Sequence, residues 1–155
     1  MQSAHARAFE RVSEYLLNDI PAGVDVQRAF AHDASRHLSV FKRCPGWFDR
    51  PDRWLSWLFD ALVTGFRMIR QHRPNIIWST YPIATAHLIG CWLSRLSGIP
   101  WVADFRDPMA HVGYPSDKAT WDSYLSVERK VFAQASRLVF TTPGSARLYA
   151  QRYMP

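Results

Sequence analysis

Asp104, Arg106 and Asp107 stand together in the run Ala103-Asp104-Phe105-Arg106-Asp107, directly after the apolar stretch Trp101-Val102-Ala103. A carboxylate placed there can take a proton from a hydroxyl or accept hydrogen bonds from sugar hydroxyls, and a guanidinium can grip phosphate with its forked donors. Asp104 and Asp107 are the candidate bases and Arg106 the candidate anion contact. Two residues separate the aspartates, so the pattern is neither of the D-x-D arrangements used for metal-held nucleotides and for phosphoaspartyl chemistry. The same cluster also admits a local role, with Asp104 capping backbone N–H groups and Arg106 paired to one of the aspartates.

A second polar group, Ser79, Thr80, Tyr81, Thr85 and His87, follows Ile76-Ile77-Trp78 and opens an apolar stretch of helical length. Free N–H groups and the helix dipole favour an anion at such a place, so Thr80, Tyr81, Thr85 and His87 are candidate substrate contacts. His87, on an otherwise apolar helix, reads more readily as a satisfied core histidine than as a catalytic one. Thr141, Thr142 and Ser145 form a third hydroxyl-rich turn, with Thr142 and Ser145 as candidate contacts and Ser145 as the expected helix cap. Glu128 falls on an apolar stripe and is expected to make a buried ion pair or to receive loop N–H groups. No spacing of His, Cys, Asp or Glu suits a metal, and the chain has no G-x-G-x-x-G, Walker lysine, G-x-S-x-G or H-E-x-x-H.

The elements that must position these groups alternate. Val24–Phe30, Ile76–Trp78, Trp101–Ala103 and Arg137–Phe140 read as strands. Ala4–Leu17, Arg53–Gln71, Ala84–Leu96, Thr120–Ala135 and the stretch from Ser145 to Tyr153 read as helices, and Gly98-Ile99-Pro100 closes the third of these. Strand and helix in alternation demand parallel pairing and right-handed crossovers. The expected fold is therefore α/β, a Rossmann-like parallel sheet with flanking helices, whose ligand edge is the carboxyl end of the strands. The polar clusters after Trp78, Ala103 and Phe140 should then share one rim.

Composition agrees with one globular domain: 155 residues, 48% hydrophobic and 21% charged. No apolar run is long enough to span a bilayer, the N-terminus lacks a signal-type apolar segment, and Cys44 and Cys91 stand apart. A cytoplasmic chain with two reduced thiols is expected. The net charge of +6 is concentrated between Arg36 and Arg73, where basic residues are nearly all arginine. Trp47, Trp54 and Trp57 lie in that segment, which supports a second reading as a stand-alone module docked peripherally on an anionic membrane surface, at the inner face of the plasma membrane. A nucleic-acid partner is not expected, because no reader motif appears.

The segments RPNIIWSTYPIATAHLIG, GIPWVADFRDPM, VFTTPG and ARLYAQRY, and more weakly IPAGVDVQRAFAHDASRHLS, resemble the N-terminal domain of bacterial GT-B fold, family 4-like glycosyltransferases. The resemblance covers nearly the whole chain, read as a single partial domain over residues 1–155. It implies one half of a two-domain enzyme that passes a sugar from a nucleotide-sugar donor to a lipid-linked or polysaccharide acceptor, without a cofactor. It further implies acceptor-side contacts at Thr80, Tyr81, Asp104, Arg106 and Asp107, with the base among the two aspartates. Many relatives carry a histidine after the strand that here ends at Asp104, where this chain has Arg106 and Asp107. The apolar first strand and glycine loop of the family are not seen, nor is the donor domain, so the chain alone is expected to be inactive. Without those strands, Val24–Phe30 should pair directly with the Ile76 strand or stay unpaired.

Overall fold

The computed structural model describes residues 2–3, 19–31 and 50–154. The expected helix at Ala4–Leu17, together with Cys44 and Trp47, lies outside the described residues. The elements are β1 (Gln2–Ser3), β2 (Arg28–Ala29), α1 (Trp57–His72), β3 (Ile77–Thr80), α2 (Ala84–Ser97), β4 (Trp101–Phe105), α3 (Lys118–Gln134), β5 (Arg137–Phe140) and α4 (Pro143–Tyr153).

Strands β3, β4 and β5 form one parallel sheet in that order. Trp78 stands beside Val102, and Val102 beside Arg137, while Thr80 stands beside Asp104 and Asp104 beside Val139. The two crossovers are the helices α2 and α3, as the alternation of periods in the sequence requires. The result is a parallel α/β, Rossmann-like layer with flanking helices, which fits the N-terminal half of a GT-B fold. Among the described residues no helix is long and apolar enough to cross a membrane.

Period-two alternation divides the sheet residues between two faces. Ile77, Trp101, Ala103, Phe105, Leu138 and Phe140 pack into a core with Cys91 of α2, Val131 of α3 and Tyr149 of α4. Trp101, Phe105 and Tyr149 are completely buried, and each such side chain contributes roughly 1.5–3 kcal/mol through removal of its surface from water. A second core joins α1 to α2 and β2 through Trp57, Ala61, Ile89, Leu93, Ala29 and Ala31. The two helices approach closely because Gly65 has no side chain: a Cβ there would lie 2.7 Å from Leu93 Cδ1. Gly98, at φ 74°, ends α2 in the left-handed conformation that glycine adopts without strain.

Several boundaries differ from the sequence expectation, and three of the differences have a clear physical reason. The strand expected at Val24–Phe30 shrinks to Arg28–Ala29, and it pairs parallel with Gln2–Ser3 instead of with the Ile76 strand. Side chains of α1 hold this segment in place. Asp60 accepts the Phe30 amide at 2.5 Å, and His72 meets Asp25 at 2.8 Å, so the segment is fastened to α1 and away from β3. Helix α1 begins at Trp57 and not Arg53, since Leu55, Trp57 and Leu58 donate to carbonyls three residues back, in tight turns that precede the helix. The cap of α4 is Thr142, whose hydroxyl accepts from Ser145 N at 3.1 Å, with Pro143 at the first helical position where its missing N–H costs nothing.

Candidate active site

Parallel pairing brings the carboxyl ends of β3, β4 and β5 to one edge, and the polar residues that follow each strand meet there. Tyr81 N donates to Asp104 O at 3.0 Å, which continues the ladder one residue beyond β3. Thr80 Oγ1 lies 3.0 Å from Asp104 Oδ2 and 3.1 Å from Tyr81 O, so its hydroxyl proton is shared between a carboxylate and a carbonyl. Asp104 is half-buried, Arg106 and Asp107 are exposed, and Thr141 Oγ1 donates to Arg106 O at 2.5 Å. The third rim is thereby tied to the second through the backbone that carries the guanidinium. What results is a row of one hydroxyl, two carboxylates and one guanidinium open to solvent at the sheet edge.

Tyr81 is buried, as is the neighbouring Tyr124. Burial first, and the neighbouring Tyr114 second, push its phenol up to about 12, so it remains a neutral hydroxyl at physiological pH.

The loop after Asp107 is fixed from below. Glu128 is 0% exposed and accepts four hydrogen bonds: from Ala110 N at 3.2 Å, Tyr149 OH at 3.1 Å, Tyr153 OH at 2.6 Å and Arg152 Nη1 at 2.7 Å. Arg152 Nη2 donates to Ala110 O at 2.8 Å, and Met109 N donates to Tyr149 OH at 2.9 Å. The N–H groups of Met109 and Ala110 and the Ala110 carbonyl are thus satisfied by α3 and α4. Desolvation and the adjacent carboxylate raise the Tyr149 and Tyr153 phenols well above their ordinary range, which keeps them as donors.

Other residues singled out in the sequence sit elsewhere. His87 is fully buried, with Nδ1 2.7 Å from Ser79 Oγ, which in turn accepts from Trp101 Nε1 at 2.8 Å. Its Nε2 has no hydrogen-bond partner, and burial lowers the imidazole to about 4. Thr85 is also fully buried; its N–H and its hydroxyl both donate to the Asp52 carboxylate, at 2.7 and 2.8 Å. Asp52 therefore occupies the N-terminus of α2 as an anion supplied from within the chain. Thr142 and Ser145 bond to each other at the start of α4, where Ser145 is buried. Trp57 is 7% exposed and faces inward, and Trp54 is half-buried with the Arg53 guanidinium 5.3 Å from its ring centre. Cys91 is a buried free thiol.

Sequence reasoning missed Asp52 and the donors around Glu128. The donors had a readable signal, since Tyr149, Arg152 and Tyr153 are spaced three and four apart and share one face of α4. Asp52 had none, because its partner is 33 residues away.

The parallel sheet with its polar carboxyl edge defines a Rossmann-like α/β unit of the kind that binds ligands at a strand-to-helix rim. A family model described as "Glycosyl transferase 4-like domain" matches residues 6–155, and the chain belongs to that family. No curated protein and no solved structure matches it.

Proposed function

We propose that this chain supplies the acceptor side of a sugar transfer from a nucleotide-sugar donor to a glycan, lipid-linked or polysaccharide in form, with the site at the carboxyl edge of β3, β4 and β5. The observation that carries the reading is the Thr80–Asp104 hydrogen bond at that edge, in a member of the glycosyl transferase 4-like family. Asp104 or Asp107 takes the proton of the acceptor hydroxyl, and the resulting oxygen attacks the anomeric carbon of the donor sugar. The bond from that carbon to the nucleotide diphosphate breaks, and the electron pair leaves with the diphosphate. Arg106 offsets the negative charge that grows on the leaving group. Thr80 holds the Asp104 carboxylate in one orientation, and the Tyr81 backbone N–H, bonded to Asp104 O, ties the two strand ends together. Residues outside this edge hold the nucleotide.

Backbone amide shifts measured while acceptor oligosaccharides are titrated into the chain test the placement. The expected perturbations fall on Thr80, Tyr81, Asp104, Arg106 and Asp107, and Asp104→Asn weakens them. Perturbations confined to the opposite strand ends, near Gly98–Pro100, would show that the site is misplaced.

A further inference from the structure

The loop that follows Asp107 carries a tight hairpin. His111 N donates to Tyr114 O and Tyr114 N to His111 O, both at 2.9 Å, with Val112 and Gly113 at the turn. This pairing stacks the two rings, their centres 5.6 Å apart and their planes 25° from parallel. Behind them Tyr124, buried on α3, meets Tyr114 at 6.4 Å. Tyr114 is 46% exposed and His111 is exposed, so the three rings lead outward from the core into solvent. Val112 O can only accept, so its 3.2 Å contact with His111 Nδ1 puts the ring proton on that nitrogen and leaves Nε2 as an acceptor. The base of the hairpin is tied down, because Ala110 is held by Glu128 and Arg152, and Met109 by Tyr149. The rings stand beside the carboxylate row. Burial, then Tyr114 and Asp107, raise the Tyr81 phenol, so Tyr114 and the Asp107 carboxylate border one and the same side chain.

We propose that His111 and Tyr114 form a stacking platform for a pyranose ring of the acceptor, an inference that rests on the carboxyl edge being the acceptor site. A pyranose presents an apolar face of C–H groups and a girdle of hydroxyls. The exposed rings take the face out of water, and Asp107 with His111 Nε2 accepts from the hydroxyls. A platform already ordered costs little entropy to fill. A nucleobase would stack on the same rings, but its phosphates would meet Asp104 and Asp107 with Arg106 alone to offset them, which disfavours a nucleotide as the occupant. The chain thus reads a sugar ring of the acceptor, and not merely a lipid or phosphate attached to it.

Titration of the 155-residue chain with the methyl pyranosides of glucose, galactose, mannose and N-acetylglucosamine, and with uridine monophosphate, tests the platform. The readouts are backbone amide shifts and saturation transfer from the aromatic protons. At least one pyranoside is expected to shift His111, Tyr114 and Asp107, with saturation strongest on the C–H groups of one ring face. Binding should weaken about tenfold in Tyr114→Leu and about threefold in His111→Ala, while Tyr114→Phe retains it. His111→Ala should keep the wild-type thermal midpoint, because the side chain is exposed, so its weaker binding is not loss of fold. Shifts at Thr80 and Asp104 that persist undiminished in Tyr114→Leu and His111→Ala would overturn the platform and leave the edge as the acceptor site. Shifts at His111 and Tyr114 with none at Thr80 or Asp104 would keep the platform as a saccharide site and remove the edge from the reading. No response to any of the pyranosides, or a tighter response to uridine monophosphate, would overturn the platform.

Discussion

Replacing Arg152 by leucine isolates the contribution of the polar cluster beneath the rim. Glu128 has no exposure to water and Arg152 is 24% exposed, so the substitution leaves a buried carboxylate without its cation. Three donors remain, Ala110 N, Tyr149 OH and Tyr153 OH, but the 2.7 Å charged contact is lost, and Ala110 O loses its 2.8 Å donor as well. Removing one partner of a buried ion pair costs about 3–5 kcal/mol, and the partial exposure of Arg152 lets water reach the vacated side. The expected loss is therefore about 3 kcal/mol, which for a chain of this size lowers the thermal midpoint by about 6–12 °C. Urea unfolding of wild type, Arg152→Leu, Glu128→Gln and the double variant measures it. The cycle should return a coupling of at least about 1.5 kcal/mol between the two residues. Hydrogen exchange should show Met109 and Ala110 opening first in Arg152→Leu, because their partners are the ones disturbed. A loss under about 1 kcal/mol, or strictly additive single effects, would refute the claim that the pair acts as a unit.

Two further outcomes follow from the interior. His87 is held neutral by burial, with its value lowered to about 4. Below its ordinary value near 6.5 the unfolded chain takes a proton that the folded chain refuses, so stability falls as pH drops from about 6.5 to about 4 and the loss then levels off. The loss amounts to roughly 3 kcal/mol. Urea unfolding across that range should be steeper in wild type than in His87→Phe, and parallel slopes would contradict the assignment. Gly90→Ala should destabilise despite the better helix propensity of alanine, since a Cβ there would meet Trp101 Nε1 at 2.5 Å and Ser79 Oγ at 3.0 Å. The cost expected from chemical unfolding is about 1–3 kcal/mol, and a gain in stability would show that the α2–sheet contact can relax.

Local signals carried much of the architecture. Short apolar runs bounded by turn residues specified β3, β4 and β5, and Gly98 marked the end of α2, because strand pleat and helix closure depend on neighbours a few residues apart. Once three such strands alternate with helices, right-handed parallel crossover leaves little choice about which ends align. The placement of Thr80, Asp104, Arg106 and Thr141 on one edge follows from that.

The sequence by itself therefore determined the order of elements and the edge at which its polar residues gather. Only the tertiary structure decided which of those residues remain open to solvent. Thr85 and His87 sit on the same helix as the rim, yet one is claimed by Asp52 and the other by Ser79. Glu128 found its cation 24 residues away, and β2 found Gln2–Ser3 across the chain. The reason is physical: a buried polar group must be satisfied by whatever donor or acceptor packing brings within about 3 Å, and sequence spacing constrains that choice only within a turn or two of helix.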